Sequence, residues 1–159
     1  MGKFKIFIIE DDTWYAEILE YNLALNPEYE IEKFATGREA IKNLYKNPSV
    51  ITLDYGLEDM NGAEVLNKIK ELYPDLPVVI ISSQEDVGVA LNLLKKGAYD
   101  YIIKNEETKD RLWKTMINIR NHQELKDEHE ELKKEVKNKY KAQTSIIGES
   151  PAMKHVFQM

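Results

Sequence analysis

Four short apolar runs recur through the first two thirds of this chain: Ile6-Phe7-Ile8-Ile9, Val50-Ile51-Thr52-Leu53, Val78-Val79-Ile80-Ile81 and Tyr101-Ile102-Ile103. Each is bounded by polar or turn-forming residues and lacks the alternation of a strand with one wet face, so each reads as a strand buried on both sides. The segments between them carry helical spacing instead. Strand one, over 3–9, leads to Asp12 or Thr13, either of which can cap a helix over 13–25 through Trp14, Ile18, Leu19 and Leu23, with Pro27 as its stop. A second strand over 30–35 precedes a Thr36-Gly37 turn and a helix carrying Ala40, Ile41, Leu44 and Tyr45. Strand three spans 49–53, and Gly62 opens a helix through Val65, Leu66, Ile69 and Leu72 that ends before Pro74 and Pro77. After strand four, the segment Asp86–Lys96 places Val87, Ala90, Leu91 and Leu94 at helical spacing and stops at Gly97. Strand five covers 101–103. Strands alternating with helices in this way predict right-handed βαβ units. The fold class is therefore α/β, a flavodoxin-like five-stranded parallel sheet with helices on both faces.

Acids stand where such strands end. Glu10-Asp11-Asp12 follow the first run and Asp54 follows the third. Ligands of open α/β sheets bind outside the carboxyl ends of the strands, so these carboxylates are expected to meet at one edge. Two such charges about 4 Å apart cost roughly 4 kcal/mol at an effective dielectric near 20, which calls for a cation or protons.

Composition narrows the partners. The 159 residues carry a net charge of −6 and are 43% hydrophobic, enough for a sizeable core, with no basic, aromatic-interleaved patch to bind nucleic acid directly. The absence of cysteine removes disulfide and thiolate–zinc chemistry. No signal-peptide pattern or membrane-length apolar stretch occurs, and a cytoplasmic location is expected.

From about Glu107 the pattern is helical until Thr144 or Ser145, far beyond an ordinary globular helix. Leu112, Met116 and Ile119 are spaced to pack on the sheet. Leu125, His129, Leu132, Val136 and Tyr140 follow the four-three spacing of a coiled-coil seam, after a register break between Ile119 and Leu125. Between Gln123 and Lys141 stand six acids and six bases, with Glu130/Lys134 and Glu135/Lys139 at favourable i,i+4 spacing. Dimerisation through 123–141 is one expectation, and a single solvated helix would carry the same pattern.

Together these positions resemble the receiver domain of two-component response regulators over about residues 3–122. The resemblance rests on Glu10-Asp11 after strand one, Asp54 after strand three with Gly62 eight residues on, Ser82 after strand four, and Tyr101 with Lys104 on strand five. It implies a sheet order 2-1-3-4-5 and makes Asp54 the phosphoacceptor, attacking a phosphohistidine presented by a sensor histidine kinase. The resemblance further implies Mg²⁺, replaceable by Mn²⁺, held by Asp11, Asp54 and the Gly56 backbone carbonyl, with Glu10 acting through water. Lys104 and Ser82 would each engage a phosphoryl oxygen. In the implied switch, Ser82 moves toward the phosphoryl group and Tyr101 rotates into the space it leaves, altering a dimerisation face over 86–122. Two positions depart from the usual pattern. Glu58 stands in place of a proline, which predicts a less restrained loop, and Asn105 in place of another, so a cis bond after Lys104 is not expected.

The segment Ile146-Ile147-Gly148-Glu149-Ser150-Pro151-Ala152-Met153 resembles the start of the AAA+ domain in σ54-dependent activators of the NtrC type. The implied organisation is a receiver over 1–122, a helical coiled-coil linker over 123–144 and the first segment of a truncated AAA+ domain over 145–159. No phosphate-binding GxxxxGK[ST] loop is present, so contact with RNA polymerase and σ54 would need further C-terminal domains. Two other functions are compatible with parts of the pattern. One is a Mg²⁺-dependent phosphohydrolase with an aspartate nucleophile, and the other a phosphorylation-independent coiled-coil interaction module.

Overall fold

The structure, a computed structural model, describes residues 4–147. Five parallel strands, β1 (Phe4–Ile9), β2 (Tyr29–Phe34), β3 (Val50–Asp54), β4 (Val78–Ser82) and β5 (Asp100–Ile103), form one sheet in the order β2-β1-β3-β4-β5. This is the flavodoxin-like arrangement expected. Crossover helices α1 (Thr13–Leu23), α2 (Gly37–Lys42), α3 (Gly62–Leu72) and α4 (Val87–Lys95) link the strands, and α5 (Thr108–Ile147) follows the last. Two compact units divide at Arg120, and the sheet with its covering helices makes the first.

Because side chains alternate across a strand, the sheet feeds two separate cores. Phe7, Ile9, Ile51, Leu53, Val78 and Ile80 face Ala40 and Leu44, Val65, Leu66 and Ile69 of α3, and Leu93 of α4. The other face carries Ile6, Ile8, Val50, Val79, Ile81 and Ile102 against Ala16, Leu19 and Leu23 of α1 and Leu112, Met116 and Ile119 of α5. Burial on both faces explains why β3 and β4 lack polar alternation. At roughly 1.5–3 kcal/mol for each fully buried large aliphatic side chain, these cores outweigh the cost of gathering charge at the sheet edge.

Three helices differ from their sequence patterns. In α1 the buried face is Ala16, Leu19 and Leu23, while Trp14 is 72% exposed and Ile18 also lies toward solvent. The apolar residues of this segment form two stripes, and only one of them meets the sheet. In α4 the core anchor is Leu93, whereas Val87, Leu91 and Leu94 are exposed. The helix is turned so that a single leucine reaches the sheet, with Val89 and Ala90 packed at its margin. Helix α2 stops at Lys42, and Leu44–Lys46 form one 3-10 turn closed by Asn47 in the left-handed conformation at φ 57°. The short turn buries Leu44 and leaves Tyr45 exposed. Gly97 ends α4 region as expected, with φ 109°, a backbone angle strained for a side chain.

Helix α5 continues to Ile147, past the stop expected at Thr144 or Ser145. Leu125 and Leu132 of the expected seam are exposed within the single chain, and the side chains of Val136 and Tyr140 lie outside the described residues. Most of the segment 145–159, from residue 148 onward, is also outside them. Among the described residues no helix is long and apolar enough to cross a membrane.

One polar group sits awkwardly in the core. Thr52, in the middle of β3, is 1% exposed and its Oγ1 has no hydrogen-bond partner. A buried hydroxyl left unpaired costs about 1–3 kcal/mol, and valine has nearly the same shape without it. Thr52→Val is therefore expected to raise stability by about 1 kcal/mol, seen as a higher urea midpoint at unchanged slope.

Candidate functional site

Strand register brings the sequence-predicted residues together. Ile9 pairs with Leu53, so the next residues along, Glu10 and Asp54, lie side by side at the carboxyl edge. On the other flank Asp54 pairs with Ile81 and Ser82 with Ile103, which places Lys104 one step beyond. Backbone bonds extend the ladder: Tyr55 N–H donates to Ile81 O at 3.2 Å, and Lys104 N–H to Ser82 O at 2.7 Å. The carboxylates of Glu10, Asp11 and Asp54 offer oxygens that all lie within 4.8 Å of one another. Asp12 is spent differently, since its side chain accepts from Trp14 N and Tyr15 N and caps α1.

Lys104 is the counter-charge. Its Nζ lies 2.8 Å from Glu10 Oε1 and 3.5 Å from Asp54 Oδ1, and it stands 4.4 Å from the centroid of the Tyr15 ring. The second Glu10 oxygen accepts the Asp12 N–H at 3.3 Å. Burial pushes the Glu10 carboxyl up to about 7, with the neighbouring Asp54 adding to the effect and Lys104 opposing it. For Lys104, burial works against the charge, but Glu10 and Asp54 outweigh it and raise the ammonium above its ordinary value. Three clustered acids, two of them paired with one ammonium, leave a negative surplus. A hard divalent cation fits that donor set, because oxygen ligands of this charge are what Mg²⁺ or Mn²⁺ takes.

The loop after Asp54 is shaped by close backbone approach. Gly56 N–H donates to Asp54 Oδ1 at 3.3 Å, and Gly62 N–H returns to Tyr55 O at 3.1 Å. A Cβ on Gly62 would come 2.8 Å from Tyr55 Cα, so only glycine lets the loop close here. Glu58 stands where a proline would restrain the loop, and its neighbour Asp59 ties the loop to α2. The Asp59 carboxylate accepts Gly37 N–H at 3.1 Å and Arg38 N–H at 3.2 Å, capping α2 from across the sheet edge.

Ser82 and Tyr101 meet through one backbone segment. Ser82 Oγ accepts Gln84 N–H at 3.0 Å, and Tyr101 Oη donates to Gln84 O at 2.9 Å. The Tyr101 ring is 7% exposed and belongs to the core. The bond to Gln84 O gives its hydroxyl a partner there. The Lys104–Asn105 peptide is trans, as expected without proline. Asn105 N–H donates to Thr108 Oγ1 and Thr108 Oγ1 donates to Ile103 O, both at 2.8 Å, which fixes the chain after Lys104 by side-chain bonds. Tyr15, Asp59 and Gln84 were not singled out from the sequence. The Asp59 contact had one detectable signal, an acid next to a turn glycine segment, whereas a backbone contact such as that of Gln84 has none.

A parallel sheet in this order with paired acids, a strand-end serine and a lysine at its edge defines a receiver domain, and residues 6–117 match the response regulator receiver domain family. The chain belongs to that family. It is 34% identical over 154 residues to the regulatory protein LuxO of Vibrio cholerae, covering 95% of this chain and 32% of that protein. It is 29% identical over 161 residues to the DNA-binding transcriptional regulator NtrC of Proteus hauseri, covering 100% of this chain and 33% of the relative. Among solved structures, the signal receiver domain of a LuxO repressor protein from Vibrio parahaemolyticus superposes with a TM-score of 0.73 at 31% identity, over 79% of this chain and 95% of that one. The chain thus spans about a third of the length of the curated relatives it matches. Over that third it is similar to the LuxO and NtrC regulators.

The Asp59 latch makes a measurable prediction. Partial burial disfavours its charge, but the N–H groups of Gly37, Arg38 and Met60 outweigh that and hold its carboxyl below the ordinary value. A carboxylate with a depressed folded pKa stabilises above its unfolded pKa, near 4, and loses the contribution as pH falls through the folded value. Asp59→Ala should cost about 1 kcal/mol near neutral pH, the usual worth of a helix cap. Urea midpoints of the two proteins should differ by a constant amount from pH 8 to 5 and converge below about pH 4.

Proposed function

We propose that this chain is the phosphoacceptor module of a σ54-dependent transcriptional activator, with Asp54 receiving a phosphoryl group from a sensor histidine kinase. The observation that carries the reading is the meeting of Glu10, Asp11 and Asp54 within 4.8 Å beside Lys104. Asp54 attacks phosphorus, the new P–O bond forms as the P–N bond to the histidine breaks, and the imidazole leaves with a proton. Asp11, Asp54 and the Gly56 carbonyl would hold Mg²⁺ or Mn²⁺, with Glu10 acting through water. When bound, such a cation offsets the carboxylate charge and orients phosphoryl oxygens. Lys104 turns from Glu10 to one phosphoryl oxygen, and Ser82 donates its hydroxyl proton to another.

The output follows from Gln84. Drawing Ser82 toward the phosphoryl group weakens its bond to Gln84 N, while Tyr101 still holds Gln84 O, so the segment before α4 is biased toward a second arrangement. The shift is limited to the difference in phosphoryl contacts between the two states. Its readout is homodimerisation through the face 86–122, the linker 123–141, or both. Exposed Val87, Leu91 and Leu94 on α4, and Leu125 and Leu132 on α5, support that reading. Control of an AAA+ ATPase is supported by matches to LuxO and NtrC that run through nearly the whole chain, well past the receiver family match at residue 117. Cytoplasmic residence follows from partnership with such a transcription machinery.

Incubation with acetyl phosphate and Mg²⁺ should give one hydroxylamine-labile phosphoryl group per chain, read by intact mass, and none in Asp54→Asn. Continued release of phosphate from small esters at many turnovers would point to a phosphohydrolase instead. Phosphorylation should also raise the dimer fraction in sedimentation, and a 1–122 fragment should dimerise more weakly than 1–159. Equal dimerisation of Asp54→Asn and the treated wild type would support the phosphorylation-independent module.

A further inference from the structure

We infer that Tyr15 is a positioning residue for the phosphoryl-transfer site, its ring face holding the Lys104 ammonium over the acids. The inference rests on the receiver reading of Asp54 and Lys104 given above. Three features support it. First, the cation itself, not the lysine stem, lies over the ring: Nζ is 4.4 Å from the centroid, well inside the range of a cation–π attraction. Second, the ring is fixed before the lysine arrives. Tyr15 is in the first turn of α1, its N–H is bound by the capping Asp12 at 3.2 Å, and its half-buried ring packs against the α1/α5 core. Third, the ring is the uncharged member of the lysine's surroundings.

That third feature gives the ring its use. Glu10 and Asp54 hold Nζ at 2.8 and 3.5 Å, and both contacts must loosen when Lys104 turns to a phosphoryl oxygen. A flexible lysine released from its ion pairs would regain its rotamer freedom and leave the site. The ring attracts the ammonium whether its other partner is a carboxylate or a phosphoryl group, so Nζ pivots on one face while exchanging anions on the other. Partial desolvation strengthens this contact, since the Lys104 side chain is only 23% exposed. With Asn105 following Lys104, the backbone there is held by hydrogen bonds to Ser82 and Thr108, and the ring supplies a restraint at the far end of the side chain.

The test compares the full chain with Tyr15→Phe, Tyr15→Leu and a series in which phenylalanine at 15 carries one, two or three ring fluorines. Phosphorylation by acetyl phosphate with Mg²⁺ should retain at least half the wild-type rate in Tyr15→Phe. In Tyr15→Leu it should fall about fivefold to thirtyfold, the range of a partly desolvated cation–π contact. Fluorination keeps the ring's shape while draining its negative face, so the rate should decline stepwise with each fluorine, which a packing role would not produce. This series stays informative even if Tyr15→Leu fails to fold. In the metal-free protein, the ring current should shift the Lys104 ε-methylene protons upfield in wild type and Tyr15→Phe, and not in Tyr15→Leu. A flat fluorine series, or an unshifted lysine in wild type, overturns the role of Tyr15 while leaving the receiver intact. Failure of the wild type to accept a phosphoryl group overturns the receiver reading and the proposal with it.

Discussion

Everything at the carboxyl edge of the sheet answers to one electrostatic fact: three carboxyl groups cluster there, and a single ammonium pairs with two of them. At separations below 5 Å, each like-charged pair costs on the order of 3–4 kcal/mol at an effective dielectric near 20. The acids cannot move apart, because Ile9, Leu53 and Ile81 just below them are locked into neighbouring strands and buried on both faces. Packing energy therefore enforces electrostatic tension. The tension shows in Glu10, a buried acid pushed up to about 7, and in Lys104, held charged by the same neighbours. A site in this condition is poised to exchange Lys104 between anions, which is the chemistry proposed for it.

The strands were legible because burial on both faces leaves near-continuous apolar runs, and the acids were legible because they follow those runs directly. Asp12 shows the limit of that logic. It belongs to the same acidic trio as Glu10 and Asp11, yet one residue further along the chain has already turned into α1, and its carboxylate caps the helix. Helix faces were harder to read. Trp14 and Ile18 keep helical spacing with Leu19 and Leu23 but lie outside the buried stripe, and α4 buries Leu93 in place of the residues flanking it. Periodicity finds a helix; its rotation about its own axis is set by the sheet it meets, and that information is tertiary.

The same distinction separates the parts of the site. Ser82, Lys104 and Tyr101 were assigned to the site by their joint spacing within the family resemblance. Asp59, Gln84 and Tyr15 act across the fold, joining α2 to the loop after β3, β4 to β5, and α1 to the residue after β5. No local pattern encodes those pairings. Losing a proline at Glu58 removes one restraint on backbone freedom, and the neighbouring Asp59 carboxylate, bonded to two backbone N–H groups of another element, supplies a different one.

Unequal anchoring of the helices bears on where a signal would travel. Helix α3 inserts Val65, Leu66 and Ile69 into the core, and α1 inserts Ala16, Leu19 and Leu23, whereas α4 inserts Leu93. Displacing α4 thus exposes less buried apolar surface than displacing either neighbour, and the cost of a shift scales with that surface. The segment leading into α4 contains Gln84, whose N–H and C=O are held by Ser82 and Tyr101, one at the carboxyl edge of the sheet and one in the core. Helix α4, anchored by one fully buried side chain, is therefore joined to Ser82 and Tyr101 through Gln84. Small changes in the partner of Ser82 are best placed to be felt at α4, whose exposed Val87, Leu91 and Leu94 already form the apolar face on which a partner could report the change.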